Sequence, residues 1–298
     1  MNRISPILLG MSLALAGGFV ATAQDATPTP PKVIQITREW IKPGRAGMAH
    51  DQSEAAFVAA LTRGKVQGHY VALNSMSGKS RALYITRYPS FEAWEKDNKA
   101  VDKNAELSSE LDRAEAADGE LLDGLDQAVA TYNEELSYHP RPDLSHARYY
   151  EITVFHVRPG HTKEWYEVSK MYRDVCDKAG LKAHWGMYEV AYGLEGGTFI
   201  ALTHRESMAE IDESFADSKK FMEAVGGPEG MSKLDALYGQ AVDSSHSELF
   251  SINPKQSYAE EAWIKADPDF WKPNAKTPQA AAAKPAAQAD AASKPASR

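Results

Sequence analysis

Two residues in the C-terminal half of the sequence, His184 and Tyr188, have the types and spacing for acid–base chemistry. They lie in "LKAHWGMYEV", whose two-residue period places His184, Gly186 and Tyr188 on one face of a strand. A buried imidazole beside a phenol can transfer protons or ligate haem iron. His204, near the end of another predicted strand, offers a second imidazole. We therefore predict His184, Tyr188 and His204 as candidate catalytic residues.

Five further residues in or beside predicted strands are candidates for lining a ligand pocket. They are Trp185, His156, His69, Tyr70 and Arg87. The ordinary alternative is that strand histidines and tyrosines are hydrogen-bonded core or rim residues, and the sequence leaves this alternative open. The remaining histidines fall in predicted loops or exposed helix positions and are predicted to be surface residues: His50, His139, His146, His161 and His246.

No strong catalytic or metal-binding motif is present. The sequence lacks H-E-x-x-H, C-x-x-C, P-loop and G-x-S-x-G patterns, so no metal site is predicted and it stays uncertain whether the protein is an enzyme. The cofactor is unknown, with haem left open. Cys176, the only cysteine, lies beside two aspartates in a helical stretch. It is predicted to be a small buried thiol rather than a nucleophile.

The composition indicates a globular protein with an acidic balance. Hydrophobic residues make up 43% of the 298 residues, which is ample for a core. The formal net charge of −8 at pH 7 repels phosphate backbones, so no nucleic-acid partner is predicted. The partner class left open is a small-molecule ligand.

The two ends of the chain differ from its body. Residues 1–23 have one basic residue, an apolar run and the small-residue site Ala21-Thr22-Ala23, which predicts a signal peptide cleaved near Ala23. The mature protein is then expected in the periplasm or outside a bacterial cell. Residues 24–32 form a Pro/Thr linker, and residues 272–298 form an Ala/Pro/Lys tail predicted to be disordered. No later segment is apolar enough to predict a transmembrane helix.

Between these ends the sequence contains one unit twice. Pro159-Gly160 follows Pro43-Gly44 by 116 residues, and the matching stretches around them are "YYEITVFHVRPG" and "VIQITREWIKPG". Three later pairs of segments match in the same order, which indicates a tandem repeat over residues 33–142 and 147–255. Residues 256–271 are predicted as a C-terminal extension. Each copy is predicted to run β-α-β-β-α-β, the order of a ferredoxin-like unit.

The stretches "HVRPGHTKEW" and "WIKPGRAGMA" are strand-PG-helix segments. In this context the chain resembles the dimeric α/β-barrel superfamily, which includes NIPSNAP-like proteins, antibiotic-biosynthesis monooxygenases and chlorite dismutase-like proteins. The resemblance implies two sheets that face each other as a barrel, usually one per subunit, with a pocket between them. A tandem chain can form this barrel alone, so we predict an α+β fold in which the two repeats pack sheet to sheet. The protein would then be a monomeric pseudo-dimer or a homo-oligomer.

Three functions remain open at this point. The first is an exported protein that binds a small apolar or aromatic ligand between the sheets. The second, implied by the resemblance, is a haem-dependent or cofactor-free oxidoreductase of the monooxygenase-like type. The third is a structural or interaction protein without a pocket. Because the second copy is richer in histidine and aromatic residues, any site is expected there, although Trp165, Tyr166 and Tyr172 have helical spacing and are predicted as core.

Overall fold

The computed structural model describes residues 29–272, so the predicted signal peptide and the tail beyond Lys272 lie outside the described residues. Its first half contains β1 (Val33–Ile41), α1 (Met48–Gly64), β2 (Tyr70–Ser75), β3 (Arg81–Tyr88), α2 (Phe91–Asp102), α3 (Ala105–Gly119) and β4 (Leu122–Tyr138). The second half contains β5 (Tyr149–Val157), α4 (Thr162–Ala179), β6 (Trp185–Tyr192), β7 (Thr198–Arg205), α5 (Ala209–Ala216), α6 (Ser218–Val225), α7 (Gly227–Ala241) and β8 (Val242–Ile252). Two short helices follow, α8 (Glu261–Ala266) and α9 (Pro268–Trp271).

The eight strands form one closed antiparallel barrel in the order β1-β3-β2-β8-β5-β7-β6-β4. Each half contributes four adjacent strands in the ferredoxin-like order, with its first strand between its third and fourth. The halves join edge to edge, through β2 with β8 and β4 with β6. Closure leaves none of the eight strands with an unpaired edge. The predicted fold class, an intramolecular barrel of two ferredoxin-like repeats, is confirmed.

The barrel interior is packed with apolar side chains because alternate residues of every strand point inward. The fully or nearly buried interior residues include Ile34, Val71, Leu83, Ile152, Phe250 and Ile252. The outer face of each half carries a second core, on which its helices lie. In the first half α1 packs against α3, and in the second half α4 packs against α7.

One end of the barrel is covered by the segment after β4 and by α8 and α9. Trp263 and Trp271 belong to the same core cluster as the barrel interior. The Trp271 indole Nε1 donates a hydrogen bond to the Ser145 carbonyl oxygen at 2.8 Å. Asp267 begins α9 because its side chain accepts a hydrogen bond from the Phe270 amide. The C-terminal helices therefore form part of the barrel core.

The burial of two residues tests the sequence expectations directly. Cys176 lies buried in α4, as predicted, and burial together with the neighbouring Asp177 raises its pKa to about 11. The prediction that His50 is a surface residue is wrong. His50 lies in the first turn of α1, and only 1% of it is exposed. The helices between residues 29 and 272 include none with the length and apolarity that a bilayer span requires.

Candidate functional site

The three predicted catalytic residues lie together at the covered end of the barrel. His184, Tyr188 and His204 line one cavity of about 50 Å³, which we call the barrel-end cavity. His184 Nε2 lies 2.8 Å from the His204 carbonyl oxygen, and the two imidazole rings are 5.5 Å apart. Ligand pockets have volumes of about 300–1,000 Å³, so this cavity has room for no more than a few waters.

The electrostatics of the barrel-end cavity favour uncharged side chains. Burial lowers the pKa of His184. Burial, with His184 and Arg141 nearby, lowers the pKa of His204 to about 3. Burial also raises the pKa of the Tyr188 phenol. The imidazoles are therefore neutral and the phenol protonated at pH 7, and none of these three groups changes charge near that pH.

Arg87 also lines the barrel-end cavity, but its guanidinium group already has partners. It donates hydrogen bonds to Glu260 Oε1 at 2.8 Å and to the Pro142 carbonyl oxygen at 2.9 Å. It also lies 5.1 Å from the centre of the Trp263 ring. Arg87 thus fastens the C-terminal helices to the barrel. A surface cleft of about 740 Å³ opens on the outer side of Arg87.

The other predicted pocket residues are distributed over separate places. His156 lies near the far end of β5, with Nδ1 3.2 Å from Thr198 Oγ1. His69 stacks on the Tyr258 ring at 4.3 Å between centroids. Tyr70 is buried on the outer face of the first half, where its ring is 5.6 Å from that of Tyr84. The structure does not bring these three residues to the barrel-end cavity.

A pocket of about 500 Å³, larger than the barrel-end cavity, lies outside the barrel between the second half-sheet and the helices α4 and α7. We call it the aromatic pocket. Trp185 lines it because the alternation of β6 turns Trp185 and Met187 away from the side of His184. Its wall is largely apolar and includes Phe155, Trp165, Tyr172, Trp185, Met187 and Leu234.

Comparison of the two repeats explains why this space stays open. Ala201 of β7 lines the aromatic pocket and pairs with Thr153. Tyr84 of β3 pairs in the same way with Thr37, which precedes Thr153 by 116 residues. Tyr84 is buried in the outer core of the first half. A methyl group in the second copy therefore stands where the first copy has a phenol.

The aromatic pocket has the chemistry of a site for a mostly apolar ligand. Ring centroids of Phe155 and Trp165 are 5.0 Å apart, and those of Tyr172 and Trp185 are 5.8 Å apart. Polar groups form the smaller part of the wall, and they include the Asp235 carboxylate and the hydroxyls of serine, threonine and tyrosine residues. The Trp165 indole N–H is buried and has no hydrogen-bond partner among residues 29–272. An apolar or aromatic molecule with one acceptor atom would match these walls.

The residues considered as haem ligands do not fit haem. His184 and His204 line the cavity of about 50 Å³, whereas no histidine or cysteine lines the aromatic pocket. The cleft of about 740 Å³ beside Arg87 is not lined by a histidine either, so in the described structure the imidazoles do not line the larger spaces. No step through haem follows from this geometry.

The sequence did not reveal most of the aromatic pocket. Trp165 was predicted as core, and it is 3% exposed while one side of it forms pocket wall. Tyr172, also predicted as core, is 44% exposed and lines the same pocket. The signal that could have located the pocket is the alignment of the two repeats, in which Ala201 occupies the position equivalent to Tyr84. The alignment shows that the second repeat has the smaller side chain at this position. That this difference opens a space beneath the helices follows only when the register of the strands is known.

Comparisons with known proteins add fold relatives of low sequence identity. No family model and no curated protein matches the chain. An anthrone oxidase-like protein is 13% identical, with 79% of this chain and 97% of that chain covered and a TM-score of 0.49. A candidate monooxygenase from Fusobacterium nucleatum is 10% identical, with coverages of 75% and 93% and a TM-score of 0.48. Chlorite dismutase from Candidatus Nitrospira defluvii is 12% identical, with coverages of 80% and 96% and a TM-score of 0.44.

With TM-scores below 0.5, these similarities do not assign the chain an activity. The fold assignment itself rests on the strand order of the closed barrel, which is the arrangement expected for a dimeric α/β barrel made within one chain.

Proposed function

We propose that this protein binds a small apolar or aromatic molecule in the aromatic pocket. The observation that carries the proposal is the space of about 500 Å³ beneath α4 and α7, walled by aromatic side chains. The ligand class is the one expected from the sequence, but the location differs. Where the sequence places a pocket between the sheets, the structure has a core of apolar side chains and the barrel-end cavity of about 50 Å³.

Binding is favoured over catalysis by the residues that line the pocket. They include one carboxylate, Asp235, and no imidazole or thiol, so the hydroxyls of the pocket have no histidine in its wall to act as a general base. The oxidoreductase alternative gains no specific residue at this site. The proposal extends to the exported location inferred from residues 1–23, which N-terminal sequencing of the mature protein tests.

Filling the pocket is the sharpest test. Ala201→Tyr copies the residue of the first repeat into the second and places a phenol in the pocket, where it should exclude a ligand. We expect the mature protein to bind the neutral fluorescent probe N-phenyl-1-naphthylamine saturably, at one site per chain. The variant should bind it at least about tenfold more weakly. Titration followed by probe fluorescence measures both affinities.

The matched control is Ala191→Tyr, which adds the same atoms at an exposed position of β6. It should leave probe binding unchanged, and circular dichroism should show all three proteins folded. Equal probe affinity of wild-type protein and Ala201→Tyr would reject the aromatic pocket as the binding site. Absence of saturable binding to the wild-type protein would count against the function itself. Native mass spectrometry of protein from its natural compartment would then report any resident ligand.

A further inference from the structure

Four side chains that can ligate a metal are buried together on the outer face of the first half. Glu39, His50, Glu54 and Asp118 each offer one atom, and these four atoms lie within 4.8 Å of one another. We call this group the His50 cluster. From His50 Nε2 the distances are 3.1 Å to Glu39, 3.9 Å to Glu54 and 3.7 Å to Asp118. None of the four side chains is more than 8% exposed.

Three separate elements hold this cluster. Glu39 lies in β1 on the face that turns outward, toward the helices. His50 and Glu54 are four residues apart in α1, so they share one face of the helix. Asp118 comes from the last turn of α3, which packs against α1. All four ligand residues lie in a strand or a helix and none lies in a loop, so packed secondary structure fixes their positions.

The charges of the His50 cluster are not balanced by neighbouring cations. Within residues 29–272, no lysine or arginine pairs with Glu39, Glu54 or Asp118. Glu54 Oε1 and Asp118 Oδ1 are buried and have no hydrogen-bond partner there, and each is the oxygen of its carboxylate that lies within 4 Å of His50 Nε2. Burial and the charges of Glu39 and Asp118 raise the pKa of Glu54 to about 9. Buried carboxylates need a partner of opposite charge or must take up protons.

We propose that the His50 cluster is a binding site for one divalent transition-metal ion. Three carboxylate oxygens and one imidazole nitrogen form a donor set that suits Mn²⁺, Fe²⁺ or Zn²⁺. A dication supplies the missing positive charge and gives a partner to both unpaired oxygens. Mg²⁺ and Ca²⁺ fit less well, because they prefer oxygen donors alone.

The distances are close to those that a metal requires. With metal–ligand bonds of about 2.0–2.2 Å, ligand atoms lie about 3.4 Å apart in a tetrahedral site, and about 3 Å (adjacent) or 4.3 Å (opposite) apart in an octahedral one. The three oxygens lie 3.1 Å, 3.7 Å and 3.9 Å from His50 Nε2, and all four ligand atoms lie within 4.8 Å of one another. Small side-chain movements that shorten the longer of these distances would complete the coordination. His50 is in the first turn of α1, whose N-terminus has no side-chain cap. Local opening of this turn would give a metal ion access to the cluster.

Gln256 is placed to orient the imidazole. Its amide nitrogen lies 3.2 Å from His50 Nδ1 and 3.0 Å from Asp51 Oδ1. A metal on Nε2 leaves the ring proton on Nδ1. The Gln256 amide must then turn its oxygen toward Nδ1, which gives up its N–H donation to Asp51 Oδ1, and Asp51 Oδ1 keeps the Asn253 amide as donor. The Gln256 oxygen is buried and has no other partner among residues 29–272. Gln256 is therefore a positioning residue for the proposed metal ligand.

The second repeat does not share the cluster. At the offset of 116 residues, Glu39, His50 and Glu54 correspond to Phe155, Tyr166 and Lys170. Phe155 instead lines the aromatic pocket. The two copies thus use the same layer, between sheet and helices, in different ways. This difference makes the metal site independent of the proposed ligand pocket.

The experiment is metal binding by the mature full-length chain. Chelator-treated protein is dialysed against Mn²⁺, Zn²⁺ or Co²⁺, and the bound metal is counted by inductively coupled plasma mass spectrometry. We expect one ion per chain, a higher melting temperature with metal, and a visible Co²⁺ spectrum typical of nitrogen and oxygen ligands. Ca²⁺ at the same concentration should give no comparable stabilisation.

Variants locate the ion. Glu54→Gln and Asp118→Asn should each lower affinity by at least about 100-fold, whereas Gln256→Met should weaken it by about 10–100-fold with an unchanged Co²⁺ spectrum. Glu115→Gln, at an exposed position of α3, is the matched control and should bind as wild type does. Ala201→Tyr should also keep the metal, which separates this proposal from the ligand pocket.

Two results would overturn the proposal. One is wild-type protein that takes up no ion and shows no metal-dependent melting shift. The other is unchanged uptake in the folded Glu54→Gln or Asp118→Asn protein, which would assign the ion to another place. If either variant fails to fold, His50→Gln gives the same decision, because unchanged metal uptake by the folded His50→Gln protein contradicts a role for His50.

Discussion

At the scale of single residues, the buried imidazole of His204 should make the protein sensitive to acid. Its pKa is about 3 in the folded protein, against an ordinary value of about 6.5, because it is buried beside His184 and Arg141. The unfolded chain therefore binds a proton more readily below pH 6.5. The contribution of His204 to the free energy of unfolding is fully present above that pH and is lost as the pH falls toward 3. Between pH 7 and pH 5, proton uptake by His204 in the unfolded chain lowers the free energy of unfolding by about 2 kcal/mol.

The prediction is that His204→Phe flattens this part of the pH profile, because the apolar ring takes up no proton. Urea unfolding at several pH values between 5 and 7.5 gives the free energy of unfolding for both proteins, and the slopes are compared. Replacing exposed His246 by Gln serves as the reference for a surface imidazole. The assignment fails if His204→Phe and wild type lose stability equally over this range.

At the scale of elements, α9 should matter far beyond its four residues. Trp271 is 3% exposed, lies 5.2 Å from the Trp263 ring and belongs to the core cluster of the barrel interior. The substitution Trp271→Ala is expected to lower the free energy of unfolding by about 3–5 kcal/mol, because it leaves a cavity and an unpaired Ser145 carbonyl. Chemical denaturation measures this loss. Phe215→Ala on α5, where the side chain is 76% exposed, should change stability by no more than about 0.5 kcal/mol.

The same scale shows which features a sequence can predict. Both copies carry the strand and helix periodicities of a ferredoxin-like unit, so the order of elements follows from local patterns that occur twice. The burial of His50 does not follow from such a pattern. It depends on Glu39 and Asp118, which reach His50 from other elements. The aromatic pocket is hidden for a similar reason, because its volume depends on side-chain sizes in β7, α4 and α7 together.

At the scale of the whole molecule, edge-to-edge closure couples the two halves. The seam between β2 and β8 pairs Leu73 with Ile252 and Ser75 with Phe250, and a second seam joins β4 to β6. Residues of both repeats then share one interior core. Neither half keeps its inward face covered when the other unfolds, so unfolding of one exposes the core of both. The molecule should therefore unfold as one cooperative unit although its sequence is a repeat.

A matched pair of core substitutions tests this coupling. Ile36 and Ile152 are equivalent positions of β1 and β5, 4% and 6% exposed, and both belong to the interior core. Replacing either by Ala should cost about 2–5 kcal/mol. Because the core is shared, each change should shift the same single calorimetric transition to lower temperature, with equal calorimetric and van't Hoff enthalpies. Two separate transitions, with only one moved by each substitution, would mean that the halves unfold independently and that the seams contribute little to stability.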